Sequence, residues 1–317
     1  MKSDRVVTIG ESLVAFIPNA HTKLRYVQQF SKVVAGAESN VAVGLSKLGH
    51  LSSWISKVGT DEFGQYIIRE LRAEGVDTSH VLVSDEGPSG IMFKQFSANL
   101  ASQVFYYRKG SAASTLRVSD LDWEYLKEAK VLHLSGITPA LSTSCRDVVY
   151  ELFRFAKQEG ILISFDPNIR RKLWSEAEAK RTLSPLLVQA DIVLMGEDEG
   201  ELLLGSGDRY RIAATLLEKG AKAIAIKRGG EGAYVADATA GFDVPIHPVK
   251  VVDTIGAGDA FNAGFLAGVL EGCPIKECGR MGSLMGALAV SSYGDTEGLP
   301  DRKTFDELMK NEKEIDR

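Results

Sequence analysis

The chain has 317 residues, of which 44% are hydrophobic and 25% are charged, a composition typical of soluble globular proteins. A net charge of −5 argues against a nucleic-acid partner, because binding nucleic acid calls for a basic face. The apolar runs are far shorter than the ~20 residues of a membrane span, so we expect no membrane partner and a cytoplasmic location.

Several strands are predicted in the first third of the chain. Apolar, strand-like segments stand at 5–10, 12–18 and 52–59. Segments 91–97 and 103–108 follow, joined by a short polar link with no helix between them. This spacing predicts an antiparallel hairpin.

The hairpin carries several aromatic residues, which indicates that it covers something. We therefore expect a small β-sheet lid built from residues near 12–35 and 88–112. The alternative is that the hairpin only extends the edge of the main sheet.

From about residue 130 strands and helices alternate regularly. The predicted strands are 131–136, 161–166, 191–196 and 223–229, and the predicted helices are 144–159, 176–190 and 209–220. Repeated alternation of this kind favours a parallel sheet covered by helices on both faces, an α/β architecture.

Polar, charged and glycine-rich segments follow three of these strands. They are "DPNIRRKLW" (166–174), "GEDEGE" (196–201) and "KRGGEG" (227–232). In an open parallel sheet ligands bind beyond the carboxyl ends of the strands. The ligand site is therefore predicted at this edge of the sheet.

The segment "DTIGAGDAF" (253–261) predicts an anion-binding turn. Phe261, Phe265 and Val269 recur at helical spacing, so a helix begins within the glycine-rich stretch. The segment matches neither the GxGxxG fingerprint nor the Walker loop. Gly256 and Gly258 would let the unpaired N–H groups of the helix start face a transferring phosphoryl group.

Asp259 stands in the first turn of this predicted helix. We expect the helix dipole to keep its carboxylate ionised, ready to accept a proton from a hydroxyl beside the phosphate. Base and anion hole would then come from one turn and support in-line phosphoryl transfer. The alternative is an ordinary aspartate at a helix start.

Three segments closely resemble the two signatures of the ribokinase-like (PfkB-type) sugar kinases. "DTIGAGDAF" resembles the C-terminal signature, and "AGAESNVAVGLSKLG" with "KVGTDEFG" (35–49 and 57–64) resembles the N-terminal one. The resemblance covers nearly the whole chain. It implies one domain over 1–317: a three-layer α/β/α fold with a mostly parallel central sheet and a small β-sheet lid.

The resemblance also implies roles for individual residues. Asp259 would be the catalytic base, and Gly256, Ala257 and Gly258 would form the anion hole and contact ATP. The other residues expected at the nucleotide are Asn168, Lys227, Gly229 and Gly232.

By the same resemblance, two acidic residues are expected to act on metal ions. Glu199 is similar to a residue that acts, indirectly, on Mg²⁺, and Asp253 to one that helps hold a monovalent cation such as K⁺. Gly196 stands where the family has asparagine, a departure that bears on Mg²⁺ handling.

The expected sugar contacts include two arginines. Gly36 and Asn40 lie in the N-terminal signature. Tyr106 and Arg108 share one face of a strand, because strand side chains alternate, and Arg170 follows a core strand. Two arginines suit a carboxylate, which guanidinium binds bidentately.

These segments resemble the 2-keto-3-deoxygluconate kinases within the family, where a late aspartate matches Asp295. Arg171 and Lys172 are interpreted as solvent-exposed charges. The expected partners are thus ATP and a sugar acid, and the chain is expected to self-associate. The alternatives are a kinase for fructose or a related keto-sugar, a nucleoside kinase, and a non-catalytic sugar-acid sensor.

Overall fold

The computed structural model describes residues 4–97 and 100–315. Its strands are β1 (Val6–Ile9), β2 (Leu13–Pro18), β3 (Phe30–Ala35), β4 (Ser52–Ile55), β5 (Lys57–Gly59), β6 (Leu82–Ser84), β7 (Gly90–Ser97), β8 (Leu100–Tyr107), β9 (Val131–Ser135), β10 (Leu162–Asp166), β11 (Ile192–Gly196), β12 (Ala223–Lys227), β13 (Ala233–Asp237) and β14 (Gly241–Val244).

The helices cover most of the remaining chain. They are α1 (Ala37–Lys47), α2 (Glu62–Ala73), α3 (Trp123–Lys127), α4 (Thr138–Leu141), α5 (Thr143–Glu159), α6 (Glu176–Leu187), α7 (Glu197–Leu204), α8 (Arg209–Glu218), α9 (Ala257–Leu270), α10 (Ile275–Val290) and α11 (Arg302–Ile315).

The central sheet has eight strands in the order β14-β13-β12-β11-β10-β9-β1-β4. The six strands from β12 to β4 are parallel, and β13 and β14 add an antiparallel edge. The parallel strands are almost wholly buried, as expected for a sheet covered on both faces. Their carboxyl ends lie along one edge, where the polar segments begin.

Helices pack on both faces because their apolar residues recur at helical spacing. On one face, helices including α5, α6 and α8 bury residues such as Leu152, Leu183 and Leu216. On the other face, α1, α9, α10 and α11 bury residues such as Phe265 and Leu284. In α5, Ser142 caps the start by accepting from the Cys145 N–H, and Gly160 ends the helix in the left-handed conformation.

A second sheet, here called the lid sheet, has the strand order β3-β2-β7-β8. Strands β7 and β8 form the predicted antiparallel hairpin, whose link falls at residues 98–99, outside the described residues. Strand β2 pairs in parallel with β7. The hairpin therefore belongs to the lid sheet and does not extend the edge of the central sheet. Alternate residues of β7, namely Met92, Lys94 and Phe96, are buried on the inner face.

The predicted fold class, a three-layer α/β/α arrangement with a mostly parallel sheet and a small lid, is confirmed. One strand assignment was wrong in part. Only Ser52–Ile55 of the predicted strand 52–59 joins the central sheet, whereas Lys57–Gly59 pairs with β6 in a separate two-stranded sheet. No helix among the described residues is both long enough and apolar enough to cross a membrane.

Candidate active site

Helix α9 begins with a turn that leaves its first N–H groups open. Gly256 precedes the helix with φ of +87°, and no described side chain caps the start. A Cβ atom at position 256 would come within 2.8 Å of the Asp295 carbonyl oxygen, so the turn requires glycine. The start of α9, with Ala257 and Gly258 in its first turn, therefore has the properties of an anion-binding site.

Asp259 lies in the first turn of α9 with only 9% of its surface exposed. Burial raises its pKa to about 7, although the hydrogen bond from Asn40 and the nearby charge of Arg170 both lower it. We expected the helix dipole to keep this carboxylate ionised, and the structure adds an opposing effect of burial. A carboxyl with a pKa near neutrality is suited to general-base work.

Asn40 connects Asp259 to a second buried carboxylate. Its side-chain amide donates to Asp259 at 2.8 Å and to Asp295 at 3.1 Å. Asn40 lies in α1, which begins just after Gly36. The structure thus brings together the two expected sugar contacts Asn40 and Asp295 beside the expected base.

A cavity of about 420 Å³ lies next to the start of α9. Its lining includes Ala257, Gly258, Lys227, Gly229 and Gly232, five of the residues expected at the nucleotide. Most of the remaining lining is apolar, a surface against which a nucleoside base can pack.

Asn168, also expected at the nucleotide, does not line this cavity in the described part of the chain. It lies just beyond β10 with φ of +40°, and its N–H donates to Asp166 at 3.0 Å.

Three side chains form a polar cluster at the carboxyl ends of β10 and β12. The Lys227 ammonium donates to Asp166 at 2.6 Å and to the side-chain oxygen of Asn262 at 3.1 Å. The Asn262 amide in turn donates to Asp166 at 2.7 Å. A Cβ atom at Gly258 would lie 3.7 Å from the Lys227 ammonium, which places this positive charge beside the anion-binding turn.

Glu199 holds two backbone segments together at the adjacent strand end. Its carboxylate accepts from the N–H groups of Gly196 and Ile169, each at 2.7 Å. Burial, reinforced by the charge of Asp166, raises the pKa of Glu199 to about 7. Gly196, where asparagine was expected, is the cap residue of α7. Glu199 therefore fixes the loop that carries Arg170.

A larger cavity of about 1200 Å³ lies between β8 and the loop after β10. Tyr106, Arg108 and Arg170 all line it, so the two arginines do converge from lid and core. Arg170 is exposed, whereas Arg108 is ion-paired with the buried carboxylate of Glu11 and donates to it at 2.6 Å. Arg108 therefore approaches a ligand with part of its charge already balanced.

The two neighbouring cations differ from each other. Arg171 has 77% of its side chain exposed and pairs with Glu176, as a surface charge would. Lys172 donates to the Val104 carbonyl oxygen at 2.9 Å and lies 5.7 Å from the Tyr106 ring centre. Lys172 is exposed, as expected of a solvated charge, and its hydrogen bond also ties the loop to the lid sheet.

Asp253 does not offer the free carboxylate that a monovalent cation needs. The ammonium of Lys94, on the inner face of β7, donates to Asp253 and to Asp295 at 2.9 Å each. The expectation of K⁺ at Asp253 therefore does not fit the residues present. Within the described residues, no group of three or more His, Cys, Asp or Glu could hold a metal ion.

Three residues of the site were missed in the sequence. Lys94 interrupts the inward apolar positions Met92 and Phe96 of β7, a charge on a buried face that the alternation does reveal. Glu11 and Asn262 have no comparable pattern, because only the folded chain places them against Arg108 and Lys227.

Residues 3–302 match the family model described as "pfkB family carbohydrate kinase". The chain is 43% identical to the 2-dehydro-3-deoxygluconokinase of Bacillus subtilis (strain 168), covering 99% of this chain and 98% of the relative. It is also similar to the crystal structure of the Thermotoga maritima 2-dehydro-3-deoxygluconokinase, with a TM-score of 0.90 and 26% identity over 96% of this chain and 99% of that one.

An Escherichia coli putative ribokinase II, solved in complex with ATP and Mg²⁺, has a TM-score of 0.89 and 29% identity. That likeness covers 97% of this chain and 99% of the solved one. Sequence signatures, fold and family model agree: the chain belongs to the pfkB family of carbohydrate kinases.

Proposed function

We propose that the chain transfers the terminal phosphoryl group of ATP to the 6-hydroxyl of 2-dehydro-3-deoxy-D-gluconate. The observation that carries this proposal is the placement of Arg170. Its charge acts on Asp259, and its side chain lines the same cavity as Arg108. A base with a cationic cavity beside it suits a substrate that has an alcohol at one end and a carboxylate at the other.

In this mechanism Asp259 accepts the proton of the 6-hydroxyl as the hydroxyl oxygen attacks the terminal phosphorus. The new bond joins that oxygen to phosphorus, and the bond from phosphorus to the bridging oxygen of ADP breaks. Amides of the turn at 256–258 stabilise the charge on the transferring group. Arg108 and Arg170 orient the carboxylate end of the sugar acid.

The 420 Å³ cavity suits a nucleotide, because its glycine backbone can approach phosphates and its apolar wall can take the base. When bound, Mg²⁺ neutralises phosphate charge, and it is usually held by phosphate oxygens, waters and only one or two carboxylates. Glu199 acts indirectly, by fixing the loop of Arg170. The similarity to the solved complex with ATP and Mg²⁺ supports both ligands for this chain.

The test is ADP release measured by a coupled assay with ATP, Mg²⁺ and a panel of acceptors. The panel contains 2-dehydro-3-deoxy-D-gluconate, gluconate and fructose. We expect the highest kcat/KM with the first, whose product should be the 6-phosphate. Preference for fructose would instead indicate a keto-sugar kinase, and sugar binding without ADP release would indicate a sensor.

We also propose that copies of the chain associate through the outer face of the lid sheet. Strand β8 is an edge strand, and its residues Phe105 and Tyr107 are 41% and 64% exposed. Exposed aromatic side chains on an open edge favour pairing with a second copy. Light scattering on Tyr107→Lys, which should show more monomer than the unchanged chain, tests this surface.

The core and the lid sheet would work as one kinase domain, because Arg108 and Lys94 reach the site from the lid side. A cytoplasmic location follows from the use of ATP. Fractionation of expressing cells, with the activity recovered in the cytosolic fraction, is the expected result.

A further inference from the structure

Lys94 carries a charge in a place where charges are costly. Its side chain is fully buried on the inner face of β7, and burial of an ammonium is unfavourable unless it is paired. Burial lowers the pKa of Lys94, but the carboxylates of Asp295 and Asp253 outweigh it and raise the pKa above its ordinary value. Two carboxylates, those of Asp253 and Asp295, therefore lie within ion-pair distance of this buried ammonium, at 2.9 Å each.

The two carboxylates that hold Lys94 belong to the loops behind the anion-binding turn. The Asp253 carboxylate accepts from the Ile255 N–H at 3.1 Å, one residue before Gly256. Asp295 packs directly against Gly256, since a Cβ atom there would lie 2.9 Å from its Cα atom. The ammonium therefore joins the loop that begins α9 to the loop that follows α10.

The same network reaches the catalytic base. Asp295 uses one carboxylate oxygen for Lys94 and the other for Asn40, and the Asn40 amide also donates to Asp259. Because Lys94 lies on a lid strand, these contacts connect the lid sheet with both the anion hole and the base. Without a cation, Asp253 and Asp295 would repel each other across this junction.

We propose that the Lys94 ammonium takes the place of a monovalent metal cation, as a positioning residue that keeps the two loops of the anion hole together. Phosphoryl transfer by this chain then needs no added K⁺, although its site resembles one that uses such an ion. This inference rests on the proposed kinase function, and its test separates the two.

The first measurement is the kcat of the unchanged protein with its preferred sugar, in buffers whose monovalent cation is K⁺, NH₄⁺ or tetramethylammonium. Equal kcat values are expected, because the charge is built in. A requirement for K⁺ or NH₄⁺ would overturn the proposal, and this measurement does not depend on any variant folding.

The second measurement uses Lys94→Met, which keeps the length of the side chain and removes its charge. In tetramethylammonium buffer its kcat should fall about 10-fold or more, because two buried carboxylates lose their partner. Added K⁺ or NH₄⁺ should restore much of the loss, mainly in kcat rather than in KM. A loss that neither ion restores would contradict a cation role.

The third measurement needs neither nucleotide nor sugar. K⁺ should raise the Tm of ligand-free Lys94→Met by about 2 °C or more relative to tetramethylammonium, because binding to the folded state stabilises it. The unchanged protein should show no such difference. The result stands whichever sugar is the substrate, so failure of the proposed function would not affect it.

Lys57 provides a matched control. It is also a buried lysine with two acidic partners, Glu86 and Asp120, but it lies in β5, outside the site described above. Lys57→Met should lose stability without gaining a response to K⁺ in kcat or Tm. The same K⁺ response in both variants would show an unspecific salt effect and would overturn the proposal.

Discussion

Asn40 and Asp259, which are 219 positions apart in the chain, are joined by a buried hydrogen bond of 2.8 Å. The amide of Asn40 can only donate to the carboxylate at this contact, so the bond is stronger when Asp259 is ionised. It offsets part of the cost of burying that charge. Asn40 therefore favours the ionised form of Asp259, the residue that we propose as the base.

The first prediction concerns the base itself. Asp259→Asn should lower kcat by about 10²–10⁴-fold, because amide nitrogen cannot accept the hydroxyl proton. Steady-state kinetics with the preferred sugar measure the effect. Turnover near that of the unchanged enzyme would remove Asp259 from the mechanism.

The same variant should be more stable than the unchanged protein near pH 7. The pKa of Asp259 is raised to about 7 by burial, so the folded state binds a proton more tightly than the unfolded state does. This proton contributes its full stabilisation below pH 4, and the contribution is lost as pH rises to 7. The loss in the free energy of unfolding amounts to about 4 kcal/mol. Denaturant unfolding at pH 5 and pH 8 should show that the advantage of Asp259→Asn grows with pH.

A second prediction is the pH profile. Since the ionised carboxylate is the base, kcat/KM should rise with pH through a pKa near 7 and then level off. Asn40→Ala removes a hydrogen bond to the ionised form of Asp259. The rise in kcat/KM should therefore move to a higher pH by about one unit. The groups that also act on Asp259 are Arg170, Asp166 and Asp295, and the variant keeps all three. If kcat/KM instead rises below pH 5, and at the same pH in the unchanged protein and in Asn40→Ala, Asp259 is not the group that titrates.

The third prediction tests the carboxylate argument. Arg170→Ala should raise KM for the sugar acid about 10-fold or more, because a hydrogen bond to a charged group contributes about 1.5–3 kcal/mol. Arg171→Ala removes the same charge one position away, from an exposed surface pair with Glu176, and should change little.

A fall in kcat with unchanged KM in Arg170→Ala would point instead to contact with the transferring phosphoryl group. KM for a neutral sugar should respond less than KM for the acid. Equal changes in KM for the two sugars would show that Arg170 does not bind the carboxylate of the sugar acid.

A fourth prediction separates the two roles of Arg108. Arg108→Ala should raise KM for the sugar acid and also reduce stability by about 3 kcal/mol, because it leaves the buried Glu11 carboxylate without its cation. The double variant Glu11→Gln, Arg108→Ala should regain most of the stability but not the low KM. Chemical denaturation and kinetics on the three proteins test this. Recovery of KM in the double variant would mean that Arg108 acts only through Glu11.

The sequence predicted the parallel core, the lid hairpin and the anion-binding turn, because each depends on local periodicity or on a short glycine motif. The antiparallel edge strands β13 and β14 were not predicted, since nothing in their short apolar runs sets direction. Strand 52–59 was predicted as one element because only Ser56 separates β4 from β5, and a single serine gives no clear turn signal.

Site residues that act through long-range pairing were harder to predict. The motif located Asp259 but did not reveal that burial raises its pKa, because burial depends on the packing of distant segments. Asp253 was expected to hold a monovalent cation, and only the folded chain reveals that Lys94 of the lid sheet forms an ion pair with it. Arg108 was expected to share a strand face with Tyr106, and both line the 1200 Å³ cavity, but its partner Glu11 lies 97 positions earlier.

The last prediction concerns the nucleotide loop and compares two glycines. Gly232 has φ of +88°, and a Cβ atom there would come within 2.1 Å of the Val244 carbonyl oxygen. Gly230, two positions away in the same cavity wall, would place its Cβ atom in open space. Only one of these two positions therefore needs glycine for its backbone.

Gly232→Ala should raise KM for ATP about 5-fold or more, because a strained backbone of this kind costs about 1–3 kcal/mol and relaxes by moving the loop. Gly230→Ala should keep KM for ATP within about 2-fold, since surface changes of this kind usually alter the energy by less than 0.5 kcal/mol. KM for the sugar should be unchanged in both, because neither glycine is among the lining residues of the 1200 Å³ cavity where we propose that the sugar acid binds. If the two variants bind ATP alike, the loop at 227–232 does not hold the nucleotide.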